Sequence, residues 1–236
     1  MTMRRIAIGF MLLSFSATGL ADSLDAFSYK FRLFRNGSAL GTADMQYTLK
    51  EDGFSQFSTR TNGTDGMASL AGASVTENSQ LIRRNGELEL VSGRIDTKVA
   101  WKTSTKSTAL QRGARFYEYV DGKDRRQVAY APGLIDQHSL TLALLEDLRA
   151  GKGPQFVYKV INKGRLETYT FKRVGEQKLD TALGKRDTVR IDRIRESSDG
   201  RSTRIYFAKS LDYAPVLIQE LNSKGDNIEM RILSVR

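Results

Sequence analysis

Three residues in one short stretch carry side chains that serve in nucleophilic catalysis: Asp136, His138 and Ser139. His138 is the single histidine of the chain. In a serine hydrolase a histidine takes the proton of the serine hydroxyl while an acid orients its ring. Adjacent residues in a helical turn point about 100° apart, so His138 cannot face Ser139. A G-x-S-x-G nucleophile elbow is also absent. The sequence therefore predicts no catalytic triad, and it predicts that His138 is a surface or rim residue near a helix start.

Other common chemistries lack their residues. The chain has no cysteine, which excludes disulfides, zinc–thiolate sites, iron–sulfur clusters and thiol nucleophiles. One histidine without cysteine does not build a common zinc site, and calcium loops, phosphate loops and dinucleotide fingerprints are absent. Two carboxylates of a glycosidase could meet across a sheet, but the sequence singles out no pair. We therefore predict a protein that is not an enzyme, with no cofactor and no catalytic or metal-binding residue.

The elements that would position these side chains begin with a helix over residues 136–150. Leu140, Leu144 and Leu148 recur every fourth residue and form an apolar stripe. Asp136 suits the N-cap, and Gly151 suits the first position after the helix. We expect the stripe either to pack as core or to line a cavity.

Strands dominate the rest of the chain. Phe27, Tyr29 and Phe31 alternate with polar residues, so they share one face of a first strand and join the three leucines as a candidate cavity or core face. Turn dipeptides follow at regular spacing: Asn36-Gly37, Asp52-Gly53, Asn85-Gly86, Asp121-Gly122, residues 162–164 and Lys224-Gly225. This pattern predicts an all-β, mainly antiparallel fold: a long curved sheet forming a half-open barrel, with one packed helix. A two-sheet β-sandwich is the alternative.

The first residues have the layout of a secretory signal peptide. Arg4 and Arg5 precede a short apolar run over residues 6–13, and the small residues Gly19 and Ala21 follow. We predict a signal peptide over residues 1–21, cleaved near Ala21, and a single β-rich domain over residues 22–236 located in the periplasm. A retained N-terminal anchor is the alternative. No later stretch is apolar enough for a transmembrane helix.

The charge balance favours anionic partners. The chain has 37 Lys and Arg against 27 Asp and Glu, a formal net charge of +10. A basic exported protein is drawn to lipid headgroups or acidic glycans, although a scattered excess could serve only solubility. Lysines and aromatics mix around Trp101 and Tyr117 as they do in single-strand binders, but export argues against nucleic acid. We expect a monomer with no nucleic-acid partner.

Three segments resemble a known family. They are "LIDQHSLTLALLEDLRAGK", "LDTALGKRDTVRI" and "RIYFAKSLDYAPVLIQ", in that order along the chain. Together they resemble the exported proteins catalogued as domain of unknown function 3108. The resemblance implies export from Gram-negative bacteria and a strongly curved antiparallel sheet or open barrel. It carries no catalytic signature, so no active-site residue is transferred.

Two function classes remain open from the sequence. The first is a periplasmic, non-catalytic module that binds a lipid or other hydrophobic or anionic envelope molecule on a concave apolar surface. The second is a structural or protein-interaction component of the cell envelope that has no small-molecule ligand.

Overall fold

The computed structural model describes residues 24–111, 113–195 and 200–236. The predicted signal peptide, residues 1–21, lies outside this part of the chain. The strands and helices that the structure describes have the following bounds: β1 (Phe27–Arg35), β2 (Ser38–Leu49), β3 (Phe54–Gly63), α1 (Gly66–Leu70), β4 (Ser74–Arg84), β5 (Glu87–Val99), β6 (Lys102–Leu110), β7 (Phe116–Asp121), β8 (Asp124–Ala129), β9 (Leu134–Asp136), α2 (Leu140–Arg149), β10 (Gln155–Asn162), β11 (Arg165–Thr181), β12 (Gly184–Ile194), β13 (Ser202–Ala208), β14 (Ala214–Leu221) and β15 (Asn227–Val235).

All of these strands belong to one sheet. Its order is β8-β7-β6-β5-β4-β3-β2-β1-β15-β14-β13-β12-β11-β10-β9, so the chain forms two meanders joined where β1 pairs with β15. Among the described pairs β9 and β10 are parallel and the others antiparallel. The sheet is curved and not closed. The predicted all-β, half-open barrel is therefore confirmed, and the two-sheet sandwich is not what the chain forms.

The hairpins form where the turn residues predicted them. Asn36 and Gly37 have φ values of 50° and 81°, and Asn85 and Gly86 have 51° and 80°. Two consecutive positive φ values are the signature of the type I′ turn, whose twist matches that of the flanking strands. Alternation of apolar and polar residues then directs one face of each meander inward, as in β1, where Tyr29, Phe31 and Leu33 are buried.

The helix α2 begins later than predicted. We expected a helix over residues 136–150 with Asp136 as N-cap, but residues 134–136 form β9 and pair with β10. The helix therefore starts at Leu140. Its end agrees with the sequence: Gly151 has a φ of 69°, its amide bonds to the carbonyl of Leu148 at 3.1 Å, and the Lys152 amide bonds to that of Asp147 at 2.8 Å. This pair of bonds is a Schellman motif.

The core lies between the concave face of the sheet and α2. The buried residues of α2 cover most of its circumference: Leu140, Leu142, Ala143, Leu144, Leu145 and Leu148. They form one hydrophobic cluster with inward residues from both meanders, such as Phe31, Leu81 and Phe207. The other residues of α2 are polar and half-buried, so the helix is enclosed on most sides. The helix α2 thus fills the half-open barrel.

Candidate functional site

The predicted cavity or core residues all lie on the inner side of the sheet. Leu140, Leu144, Leu148, Tyr29 and Phe31 are buried, and Phe27 is half-buried against the same cluster. The Phe27 ring stacks on Tyr29 with centroids 4.3 Å apart and on Tyr47 at 5.6 Å. The structure therefore brings the six residues together around α2, packed against one another.

The entry of α2 is fixed to the sheet through the carboxylate of Asp136. Its Oδ1 accepts hydrogen bonds from the Ser139 amide at 2.9 Å and the Ser139 hydroxyl at 2.6 Å. Its Oδ2 accepts a bond from the hydroxyl of Ser79 on β4 at 2.6 Å. A Cβ added to Gly93 on β5 would lie 2.7 Å from this Oδ2. Position 93 therefore needs a glycine so that the Asp136 carboxylate can lie against the sheet. Asp136 thus caps the turn before α2 and ties it to the sheet.

His138 is half-buried just before the start of α2, which agrees with the prediction of a rim residue near a helix start. Its ring stacks on Phe57 with centroids 4.6 Å apart. Nδ1 lies 2.8 Å from the Ser79 hydroxyl, and Nε2 lies 2.9 Å from the Thr59 hydroxyl. Because Ser79 donates its only proton to Asp136, the consistent arrangement has Nδ1–H donating to Ser79 and Nε2 accepting from Thr59. Burial lowers the pKa of His138, against the opposing charge of Asp136, so the neutral ring is favoured.

We call Thr59, Ser79, Asp136, His138 and Ser139 the Asp136 cluster. It contains the three residue types of a hydrolase, but its geometry differs from a catalytic triad. Asp136 accepts from serine hydroxyls, whereas a triad acid orients the imidazole. Ser79 is also fully enclosed, with an exposed fraction of 0%. The arrangement is that of a satisfied, largely enclosed polar network, which fixes the geometry of this region.

A second acid, Glu77, occupies the inner face of β4 beside this cluster. Glu77 pairs in register with Thr59 on β3, which places both side chains on the same face. Burial raises the pKa of Glu77 to about 7, and the charges of Asp136 and Glu220 add to the effect. Near neutral pH this carboxyl is therefore partly protonated.

The second half of α2 is held by side chains as well. Glu146 pairs with Arg83 of β4 at 2.5 Å. Arg149 pairs with Asp212, in the turn before β14, at 3.0 Å. The hydroxyl of Tyr158 on β10 donates to Asp147 at 2.7 Å. The helix is thus bonded to both meanders, through side chains and not through main-chain pairing.

Sequence reasoning missed Thr59, Ser79, Glu77 and Gly93. A signal was present in β3, where the buried Ser55, Phe57 and Thr59 alternate with half-buried residues. Because alternate residues of a strand share a face, Phe57 indicates that Ser55 and Thr59 also point into the core. A polar side chain in the core needs a hydrogen-bond partner there. The identity of that partner had no local signal, because His138 lies 79 residues from Thr59 and 59 from Ser79.

A groove of about 720 Å³ lies on the outer face of the sheet. Gln56, Asn78 and Gln80 line it, in the opposite phase to Phe57 and Ser79, together with residues of β5 and the β2–β3 turn. The Gln56 amide donates to Asn78 at 3.3 Å. Polar and apolar surface contribute about equally to the lining, with Leu49 and Phe54 among the apolar residues.

Within the described residues no group of three or more His, Asp or Glu side chains could hold a metal ion. In the same part of the chain no helix has the length and apolar character needed to cross a bilayer.

The fold and the packing of its interior define the class of protein: a β-rich protein whose half-open barrel is filled by one helix. The chain belongs to the family described as protein of unknown function (DUF3108), whose model matches residues 30–232. This confirms the resemblance seen in the sequence. No curated protein matches the chain.

Solved structures resemble it in fold. A beta-barrel-like protein of domain of unknown function DUF1849 from Brucella abortus has a TM-score of 0.54 and 9% identity, over 90% of this chain and 97% of that one. A domain provisionally assigned as an outer membrane lipoprotein-sorting protein, from Vibrio parahaemolyticus, has a TM-score of 0.25 and 8% identity, over 91% and 86%. The first supports the fold, and the second is too distant to carry an argument.

Proposed function

We propose that the protein is an exported, non-catalytic module of the cell envelope that binds the hydrophobic part of a lipid or related anionic envelope molecule inside its half-open barrel. Export to the periplasm rests on the predicted signal peptide. The absence of a catalytic role rests on the geometry of the Asp136 cluster, whose serine is enclosed and bonded to the acid.

One observation carries the proposal: the apolar interior of an unclosed sheet is occupied by a helix that side chains alone hold in place. Burial of its five leucines contributes roughly 8–15 kcal/mol, at about 1.5–3 kcal/mol each. An acyl chain of about fifteen methylenes would recover roughly 12 kcal/mol, at about 0.8 kcal/mol per methylene. The ion pairs of Arg83 with Glu146 and of Arg149 with Asp212 are partly exposed to solvent and add only about 1 kcal/mol each. Burial of one acyl chain therefore contributes about as much free energy as burial of the α2 leucines. We propose that the acyl chain enters the barrel by displacing α2.

The test locks α2 in place. The chain has no cysteine, so Arg83→Cys with Glu146→Cys can be crosslinked selectively by a short bismaleimide. Uptake of a pyrene-labelled long-chain fatty acid is then measured by fluorescence. We expect saturable uptake by the wild-type chain and by the double variant before crosslinking, and at least a tenfold loss after it, on the order of 1.4 kcal/mol.

The matched control is a crosslink between Lys178→Cys on β11 and Asp187→Cys on β12, a surface pair 3.8 Å apart in the wild type. This crosslink joins neighbouring strands and leaves α2 free, so uptake should persist. Equal uptake with and without the crosslink on α2 would contradict the proposal that the acyl chain displaces this helix. No uptake by the wild type would contradict lipid binding in the interior.

The second candidate is a structural or protein-interaction component of the envelope without a small-molecule ligand. The complete packing of the interior favours it, since Leu144 has an exposed fraction of 0%. In-cell photocrosslinking should then capture one defined protein partner while the fatty-acid assay stays negative.

A further inference from the structure

Four large apolar side chains are exposed together at one end of the barrel. Met67 and Leu70 lie one helical turn apart on α1, with exposed fractions of 79% and 83%. Val99 and Trp101 lie at the β5–β6 turn, with 48% and 88%. The Ala100 amide donates to the Ala71 carbonyl at 2.6 Å, which holds the two segments side by side. We call Met67, Leu70, Val99 and Trp101 the apolar tip.

The fold itself does not require these residues. Other hairpins of the sheet turn at Asn36-Gly37 and Asn85-Gly86, whereas β5 and β6 are joined by Ala100-Trp101. Ala100 has a φ of 52°, a region that costs a residue with a Cβ about 1–2 kcal/mol. A strained turn that presents a tryptophan to solvent has no explanation in turn geometry, and such outliers cluster at functional positions.

The charges around the tip are basic. Lys98 and Lys102 flank the turn and are exposed, and in the part of the chain that the structure describes neither has a carboxylate within ion-pair distance. Two acids in the adjoining segments are already paired: Asp96 accepts from Arg94 at 2.7 Å, and Asp65 accepts from Arg32 at 2.7 Å. The tip therefore combines apolar side chains with uncompensated positive charge.

We propose that the apolar tip docks the protein onto a bilayer that contains anionic lipids. Tryptophan favours the headgroup level, where its ring is half in contact with hydrocarbon and its N–H with polar groups. Met67, Leu70 and Val99 reach the acyl boundary, and Lys98 and Lys102 contact anionic headgroups, the combination found in proteins that lie on a membrane. The proposal concerns the outer surface at one end and does not depend on a ligand inside the barrel.

The test uses the chain from Asp22 onward, which contains every element that the structure describes and lacks the apolar residues 1–21. Trp101 is the only tryptophan of the chain, so its fluorescence reports on the tip alone. With phosphatidylglycerol vesicles we expect a blue shift, quenching by brominated acyl chains and co-sedimentation. With phosphatidylcholine vesicles the affinity should be at least tenfold lower.

Variants separate the apolar and the electrostatic contributions and keep the reporter. Leu70→Asp should lower the affinity for phosphatidylglycerol vesicles by about tenfold or more, because it places a charge at the acyl boundary. The double variant Lys98→Glu, Lys102→Glu should also lower the affinity for phosphatidylglycerol vesicles by about tenfold or more. Its affinities for phosphatidylglycerol and phosphatidylcholine vesicles should then be equal. The matched control is Val174→Asp on β11, which is 52% exposed in a different part of the sheet and should leave binding unchanged.

The proposal is overturned if Trp101 shows no blue shift with phosphatidylglycerol, or if Leu70→Asp and Val174→Asp bind alike. It is also overturned if photocrosslinking from position 70 captures a protein while vesicles stay unbound, since the tip would then be a protein interface. The fatty-acid assay with locked α2 can fail while the vesicle assay succeeds, so the two hypotheses are distinguishable.

Discussion

At the residue scale, the lone histidine is explained by packing. His138 lies between Phe57, Thr59 and Ser79, and both of its ring nitrogens have hydroxyl partners. A buried polar group with every partner present costs little, whereas the same group with one partner removed carries its full desolvation penalty. The sequence indicated that His138 does not face Ser139, and the ring nitrogens contact Ser79 and Thr59. It could not indicate these partners, because they come from strands far away in the chain.

Removal of the Ser79 hydroxyl should destabilise the fold. Ser79→Ala leaves Asp136 Oδ2 and His138 Nδ1 without their shared partner, so the free energy of unfolding should fall by about 1–3 kcal/mol. Urea denaturation measures this change. Ser92→Ala, on the outer face of β5, is the control and should stay within about 0.5 kcal/mol of wild type. Equal effects of the two changes would show that the cluster contributes nothing special.

Glu77 should give stability an unusual pH dependence. Its pKa is about 7 in the fold against an ordinary 4.5, so the folded state keeps a proton that the unfolded chain releases. Its contribution is full below pH 4.5 and is lost as the pH rises through 7. The lowered pKa of His138 acts in the opposite sense, because stability is lost there as the pH falls below the ordinary histidine value.

In the wild type, the Glu77 contribution to the free energy of unfolding is lost between pH 5 and pH 8. Glu77→Gln should therefore make the fall in this free energy between the two pH values smaller by roughly 1–3 kcal/mol. Urea denaturation at the two pH values measures it. The exposed Glu51→Gln serves as control and should leave the difference between the two pH values as in wild type. If both variants behave alike, Glu77 is not the group responsible.

At the element scale, α2 shows what periodicity can and cannot predict. The leucine stripe and the terminal Gly151 located the helix and its end. The start was placed too early, because tertiary pairing of Leu134–Asp136 with β10 outweighs the local capping signal of Asp136. Periodicity also indicated one buried face, whereas Leu142 and Ala143 are buried too. A one-dimensional pattern identifies a preferred side, but a helix enclosed by a curved sheet has neighbours all round.

Truncation within α2 tests its packing. Leu144→Ala should lower the free energy of unfolding by about 2–5 kcal/mol, because it opens a cavity at a fully buried site. Leu166→Ala, on an exposed position of β11, is the control with the same chemical change. A small effect at Leu144 combined with weaker fatty-acid uptake would mean that the stripe lines a cavity.

At the scale of the whole molecule, the two free edges of the sheet approach each other without pairing. The β10–β11 turn lies against β7 and β8, where Arg126 donates to the Lys163 carbonyl at 3.2 Å. The meander order followed from the regular turns, and the family resemblance indicated the curvature. The pairing of β1 with β15 and the near-closure could not be predicted, because strands so far apart carry no shared local signal.

A pair of glycines tests the contact between the edges. Gly164 and Gly37 both have positive φ, 69° and 81°. A Cβ on Gly164 would lie 2.6 Å from the Tyr119 ring, whereas one on Gly37 would meet nothing within 4 Å. Gly164→Ala should therefore cost about 1–3 kcal/mol more than Gly37→Ala in thermal or urea unfolding, the usual effect of overpacking. Equal losses of stability in the two variants would mean that both arise from backbone strain alone. The β10–β11 turn would then not contact Tyr119 in solution.

The central pairing of β1 with β15 also bears on when the protein can fold. Ser28 and Arg236 exchange backbone bonds at 2.8 and 2.9 Å, so the first and last of the described strands meet in the middle of the sheet. A growing chain can form each meander from local hairpins, but it joins them only once β15 has been synthesised. Because β1 and β15 are neighbours, a circular permutant linked there and opened between β8 and β9, the two edge strands that do not pair, would turn this last contact into a local hairpin and should fold faster.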